Sequence, residues 1–102
     1  MVLTKKQKKI EIIVDAPLFR RVRDLAADNG IKAYTFQPIS GGDGKNGRWL
    51  DDQVTGGAGS KITFTVIVDT DDADRLLSSL EILVDELGLM VLISDVEVLQ
   101  SQ

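Results

Sequence analysis

Cysteine and histidine are both absent from the 102-residue chain. Without a thiol or an imidazole, the chain cannot build a Ser-His or Cys-His nucleophile. The same absence excludes disulfides, cysteine-based zinc sites and the cysteine pair of a heavy-metal chaperone. Catalysis by a histidine-activated serine or cysteine is therefore excluded.

Long apolar runs and an excess of positive charge are also lacking. No apolar run approaches the ~20 residues that a membrane-spanning helix needs, and the net charge of −4 disfavours a protein that binds nucleic acid through its phosphates. The basic residues 1–9 are not followed by the apolar core of a secretory signal. We therefore expect a cytoplasmic protein that neither inserts into a membrane nor binds nucleic acid, with residues 1–7 as a frayed basic tail.

The length and the apolar fraction of 43% suit a single domain over residues 1–102. Strand patterns occupy residues 10–14, 31–39, 61–69 and 89–99, and apolar residues recur at helical spacing over 18–26 and 73–87. We expect Asp15 to cap the first helix, Thr70 or Asp71 to cap the second, and Gly30 and Gly88 to end them. The order predicts an α+β, ferredoxin-like βαββαβ fold, in which two helices cover one face of a four-stranded antiparallel sheet.

The other face of the predicted sheet would carry Ile13, Thr63, Thr65 and Ile67. This mixture is too apolar for a face left in water and too polar for the core of a monomer. We therefore expect another subunit to cover it. An open sheet with scattered exposed apolar residues is the alternative.

Seven of the nine glycines lie in residues 41–59, in a connection of about 20 residues between two strands. Hairpin loops are usually ~2–5 residues long, so a connection of this length suggests a function. Its amides, together with Lys45 and Arg48, could surround phosphate or carboxylate oxygens. A flexible linker is the alternative, because no Walker motif is present. Trp49 and Leu50 either pack on the body of the protein or contact a partner.

Four aspartates between residues 69 and 74 could suggest a cation site. Carboxylates in the first turn of a helix are explained by the helix dipole, so we predict no metal site there. An acylphosphatase-like phosphate loop is disfavoured as well, because Asp15 lies in the turn where the phosphate would bind.

Short motifs along the chain resemble the PII signal-transduction family. They are Lys8-Lys9-Ile10, Val22-Arg23, residues 30–35, Gly41 and Thr70-Asp71-Asp72. The resemblance implies a regulatory protein that is not an enzyme and has no catalytic residues. It also implies a homotrimer with adenine nucleotides in the clefts between subunits. It implies that Thr35 hydrogen-bonds the adenine, that Gly41 and its neighbours approach the phosphates, and that Gly88 lies in the turn that closes the cleft. The predicted nucleotide-binding residues are Thr35, Ile39, Gly41, Gly42, Gly44, Lys45, Arg48, Lys61 and Gly88.

The chain departs from classical PII proteins in its cations. The turn Gly88-Leu89-Met90-Val91 lacks a basic residue, residues 100–102 lack arginines, and the only tyrosine is Tyr34, outside the loop. The short glycine-rich loop is instead similar to PII-like proteins of inorganic-carbon metabolism, namely the carboxysome-associated type and the partner of a bicarbonate transporter. These proteins sense AMP, ADP or cyclic AMP, and the carboxysome-associated type also binds bicarbonate.

This second resemblance implies AMP or ADP as the ligand, no other cofactor, and bicarbonate as a candidate ligand of Lys45, Arg48 or Lys61. We expect residues 40–60 to be a flexible T-loop that orders when nucleotide binds. The ordered loop would present Trp49 and Leu50 to a bicarbonate transporter or a carboxysome component. Another trimeric ferredoxin-like module, either ACT-like or divalent-cation-tolerance-like, is the alternative, and nucleotide binding distinguishes the two.

Overall fold

The chain folds into a four-stranded antiparallel sheet with two helices, and the computed structural model describes residues 2–44, 47–50 and 60–101. The elements in chain order are β1 (Thr4–Asp15), a 3₁₀ turn (Ala16–Leu18), α1 (Phe19–Asp28), β2 (Thr35–Ile39), β3 (Gly41–Gly44), β4 (Gly47–Leu50), β5 (Lys61–Val68), α2 (Thr70–Leu87) and β6 (Met90–Leu99).

The strand order in the sheet is β2-β5-β1-β6, and β1 pairs antiparallel with both β5 and β6. Strands β3 and β4 form a separate hairpin within the connection from β2 to β5. With this hairpin set aside, the order is βαββαβ, so the predicted ferredoxin-like fold is confirmed.

The core lies between the helices and one face of the sheet. Alternate residues of β1 point into it, and their partners on β5 lie on the same face because directly paired residues share a side of the sheet. Both helices close the core with apolar side chains. The fully buried residues include Ile10, Ile12, Val14, Phe64, Val66, Val22, Ala26, Leu76 and Leu80. Burial of each large side chain contributes roughly 1.5–3 kcal/mol. In the described part of the chain, neither helix is long and apolar enough to cross a bilayer.

The first strand begins earlier than the sequence predicted. Residues 4–7, expected to form a frayed tail, pair with the last strand from Thr4↔Leu99 to Gln7↔Val96. Two lysines in the first half of β1 contact carboxylates: Lys5 Nζ lies 3.1 Å from Asp69 Oδ1 and Lys8 Nζ 2.5 Å from Asp95 Oδ1. Because the paired acids offset the positive charge, the basic segment continues the strand.

The first helix also begins differently from the prediction. Asp15 precedes the 3₁₀ turn, and its carboxylate makes no capping hydrogen bond. The second helix has Asp69 at its N-cap position, one residue before Thr70, again without a side-chain cap. The predicted ends are confirmed: Gly30 and Gly88 both have left-handed backbone, with φ of 79° and 64°.

Two segments differ from the predicted strand pattern in the middle of the chain. Strand β2 covers Thr35–Ile39 only, so residues 31–34 are not part of it. Part of the connection over 40–60, where no regular structure was predicted, forms the β3–β4 hairpin with register from Gly41↔Leu50 to Gly44↔Gly47. Glycines carry no side chains and therefore give no apolar alternation from which a strand could be predicted.

Candidate functional site

One end of the sheet gathers several residues that the sequence singled out. The register joins Ile39 to Lys61 and Lys61 to Asp15, so the three lie side by side across β2, β5 and β1. Gly41 follows two residues after Ile39. On the other side of β1, Ile13 pairs with Met90, which places the Gly88 turn at the same end of the sheet.

The two groups of residues at this end lie beside opposite edges of the sheet, however. Ile39 and Gly41 follow the β2 edge, whereas Gly88 precedes the β6 edge, with β5 and β1 between them. At ~4.8 Å per strand, the two edges are about 14 Å apart. Within one chain the predicted residues therefore lie in two separate groups.

Lys61 is held by an ion pair at the base of the loop. Its Nζ lies 2.5 Å from Asp15 Oδ1, with 28% of the Lys61 side chain and 47% of the Asp15 side chain exposed. Beside this pair, the Ala16 N–H donates to the Ser60 carbonyl oxygen at 2.9 Å. Two contacts thus join the end of β1 to the point where the loop re-enters the sheet.

Sequence reasoning missed the contact of Asp15 with Lys61, because the position of Asp15 before Pro17 suggested a helix cap. The pairing of β1 with β5 was the signal that could have found it. With Val14 opposite Ile62 on the core face, Asp15 and Lys61 must lie opposite each other on the open face.

The predicted loop residues lie partly in the hairpin. Gly42 pairs with Trp49 and Gly44 with Gly47, and the backbones of Arg48 and Leu50 belong to β4. In an antiparallel pair, alternate amides of each strand point away from the partner strand. Amides of this kind are the groups that an anion would contact, and the anion-binding role of this segment stays a prediction. Lys45 lies outside the described residues.

Thr35 lies at the beginning of β2, opposite Thr65. It lines a shallow pocket of about 250 Å³ with Ala33, Tyr34, Thr65 and Ile67. Ile39 is four residues further along the same strand, so ~13 Å separates the two ends of β2. A ligand that contacts both Thr35 and the loop base would have to extend along this edge strand.

The open face of the sheet carries exposed apolar side chains beside polar ones. Ile67, Met90 and Leu92 are 46%, 57% and 47% exposed, and the register places them on the side away from the helices. Ile13, on the same face, is half-buried. This is the face that was expected to contact another subunit.

Two of the four aspartates around the start of α2 contact other side chains. Asp72 forms an ion pair with Arg75. Asp69 accepts a hydrogen bond from Gln7 Nε2 at 3.0 Å and lies 3.1 Å from Lys5 Nζ. The Gln7 hydrogen bond, followed by Lys5, lowers the pKa of the Asp69 carboxyl below its ordinary value. Among residues 2–44, 47–50 and 60–101, no cluster of three acidic side chains could hold a metal ion.

Comparisons with known proteins agree with this fold. Residues 7–102 match the family model described as nitrogen regulatory protein P-II. A search of curated protein sequences found no significant match.

The solved structures that resemble the chain include three of PII-like proteins. The first is CPII, a nitrogen regulatory PII-like protein from Thiomonas intermedia, bound to ADP, AMP and bicarbonate. It has 21% identity and a TM-score of 0.86, over 98% of this chain and 94% of that one. The apo form of the same protein has 22% identity and a TM-score of 0.74, over 99% of this chain and 100% of that one. A PII-like signalling protein from Thermus thermophilus has 22% identity and a TM-score of 0.76, over 93% of this chain and 91% of that one.

Proposed function

The chain belongs to the nitrogen regulatory protein P-II family, and we propose that it senses AMP or ADP as a homotrimer. In this proposal it acts in the cytoplasm by binding rather than by catalysis, and bicarbonate is a second ligand. The family match favours this function over the ACT-like and divalent-cation-tolerance-like alternatives.

The observation that carries the proposal is the division of the site between two edges. Gly41 and Lys61 lie toward the β2 side and Gly88 beside β6, at one end of the sheet but on opposite sides of it. A cleft between two copies would bring the loop base of one next to the Gly88 turn of the other. The exposed Met90 and Leu92, on the open face close to that turn, supply apolar surface for such a contact.

Preference for AMP or ADP over ATP follows from the small number of cations at this end. The turn Gly88-Leu89-Met90-Val91 contains no basic residue, and Lys61 is already engaged by Asp15. A hydrogen bond to a charged group contributes about 1.5–3 kcal/mol. A third phosphate that lacks such a partner adds little affinity while it loses hydration.

Bicarbonate as a ligand, and with it a role in inorganic-carbon metabolism, is supported by the fold shared with CPII from Thiomonas intermedia, which was solved with ADP, AMP and bicarbonate. Bicarbonate is small and singly charged, so backbone amides beside one cation from Lys45, Arg48 or Lys61 suit it. Binding would order the loop over 40–60, and Trp49 and Leu50 would then contact a bicarbonate transporter or a carboxysome component.

One titration panel tests this function. ATP, ADP and AMP are titrated by calorimetry, each with and without bicarbonate, while the fluorescence of Trp49, the only tryptophan, follows the loop. We expect ADP or AMP to bind at least as tightly as ATP and the Trp49 emission to shift at saturation. Thr35→Ala should weaken the binding of all three nucleotides equally. Arg48→Ala should weaken binding mainly by loss of a contact with the phosphates.

Strong preference for ATP, or no binding of any adenylate, would contradict the proposed ligand. Saturation by nucleotide with unchanged Trp49 emission and anisotropy would contradict the role of the loop in signalling.

A further inference from the structure

We propose that the carboxylate of Asp15 competes with the anionic ligand for Lys61 and thereby limits the charge that the site accepts. The proposal rests on the proposed function, because it concerns the same loop base. In this proposal Asp15 is a specificity-determining residue. An anion can contact the Lys61 ammonium only if that ammonium moves away from Asp15 or is shared with it.

The geometry of the pair supports this role. Asp15 and Lys61 are direct partners in the β1–β5 register, so they face each other on the same side of the sheet. Their side-chain atoms lie 2.5 Å apart, and both groups remain partly open to solvent. An incoming anion can therefore reach the ammonium without unfolding the strand ends.

Asp15 has no competing structural task as a helix cap, because its carboxylate does not bond to the backbone of the following turn. The backbone contact from Ala16 N–H to the Ser60 carbonyl oxygen holds the strand end without it. Removal of the Asp15 charge should therefore leave the loop base in place.

The position of the pair distinguishes it from other ion pairs of the protein. Lys5–Asp69 and Lys8–Asp95 lie at the opposite end of the sheet, and Arg21–Glu86 connects the two helices. The Lys61–Asp15 pair lies instead beside Ile39, where the loop leaves the sheet. Its negative member faces the place where the ligand's charge is expected. Repulsion from Asp15 grows with that charge, so AMP and bicarbonate are tolerated better than ATP.

The experiment measures ADP, AMP and adenosine binding to Asp15→Asn by calorimetry. Asp15→Asn releases Lys61 from a partly exposed ion pair, and we expect this release to raise the affinity for ADP about two- to fivefold. Adenosine, which has no phosphate, should bind as it does to the wild type. The gain should shrink at high salt, where the Debye length falls to ~3 Å. Glu86→Gln is the matched control, since it removes the same charge from the Arg21 pair.

A double-mutant cycle separates competition for Lys61 from a general effect of charge. In the Lys61→Gln background, Asp15→Asn should give a clearly smaller gain, because the contested cation is gone and only the direct repulsion between Asp15 and the ligand remains. An equal gain in that background would overturn the proposal. Asp15→Ser, which removes the same charge, provides the same cycle if Asp15→Asn lowers the melting temperature markedly.

The failures of the two proposals are distinguishable. If the wild type binds ADP and Asp15→Asn leaves its affinity unchanged or weaker, the competition is refuted and the proposed function stands. If the wild type binds no adenylate, both are refuted.

Discussion

The two faces of the sheet are built from the same strands but end in different environments. On the helix-covered face, Ile12 and Phe64 are fully buried, whereas on the open face Ile67 and Leu92 remain 46% and 47% exposed. Because strand residues alternate between faces, one residue along the chain separates these environments. A single chain therefore covers the apolar side chains of one face of its sheet and leaves those of the other face exposed.

The open face is also more polar than the core. Thr63, Thr65, Gln37 and Glu11 share it with the exposed apolar residues. Such a mixture is typical of a contact between subunits, since interfaces combine apolar contacts with hydrogen-bonding groups. The comparison leads to three predictions, from the largest effect to the smallest.

Phe64→Ala should have the largest effect, because it removes a fully buried ring from the helix-covered face. The ring contacts those of Tyr34 and Phe19, with centroids 4.7 Å and 5.9 Å away. We expect a loss of about 3–5 kcal/mol in the free energy of unfolding, measured by urea denaturation. The neighbouring Thr65→Ala, on the open face, is the control and should cost much less. Equal losses would mean that the two faces are equally important to the fold.

Leu92→Glu should break the subunit contact that we propose for the open face and leave the folded chain intact. A carboxylate on the open face would be desolvated in the assembly but hydrated in the monomer. We expect light scattering to fall from the mass of three chains to the 11.1 kDa of one, with an unchanged far-ultraviolet spectrum.

Ile82→Glu is the control for this change, since Ile82 is 77% exposed on α2 and its substitution should leave the mass unaltered. A Leu92→Glu variant that keeps the wild-type mass, or a wild type already at 11.1 kDa, would contradict the assignment of the open face to a subunit contact.

Asp69→Asn should have the smallest effect and one that depends on pH. The hydrogen bond from Gln7 and the charge of Lys5 lower the pKa of Asp69 in the folded state. A lowered carboxyl pKa stabilises the fold above the ordinary value of 3.8, and the stabilisation is lost as the pH falls through the lowered pKa. The melting temperature of Asp69→Asn should therefore lie slightly below that of the wild type near neutral pH, and the gap should close in acid.

Glu81→Gln on the exposed surface of α2 is the control, because it removes a carboxylate that makes no described contact with Lys5 or Gln7. If the gap between Asp69→Asn and the wild type is the same at neutral and acid pH, the carboxylate has no acid-sensitive role.

The strand and helix order could be predicted because apolar side chains alternate along β5 and recur along α2. Predictions were less successful where side chains give no local signal. The lysines of β1 indicated a tail because their acidic partners, such as Asp95, are distant in sequence. The β3–β4 hairpin is rich in glycine and has little pattern. Asp15 has the local features of a helix cap, and only the strand register shows that it pairs with Lys61 instead.

By itself, the sequence determined the order of the four main strands and two helices, the buried faces of β1 and β5, and the two glycine stops. These properties depend on the spacing of apolar residues and on local backbone preferences. Only the tertiary structure decided which charges meet and that Gly41 and Gly88 lie beside opposite edges of the sheet. The physical reason is that ion pairs such as Lys61–Asp15, separated by 46 positions, form only after strand order and register bring distant residues together.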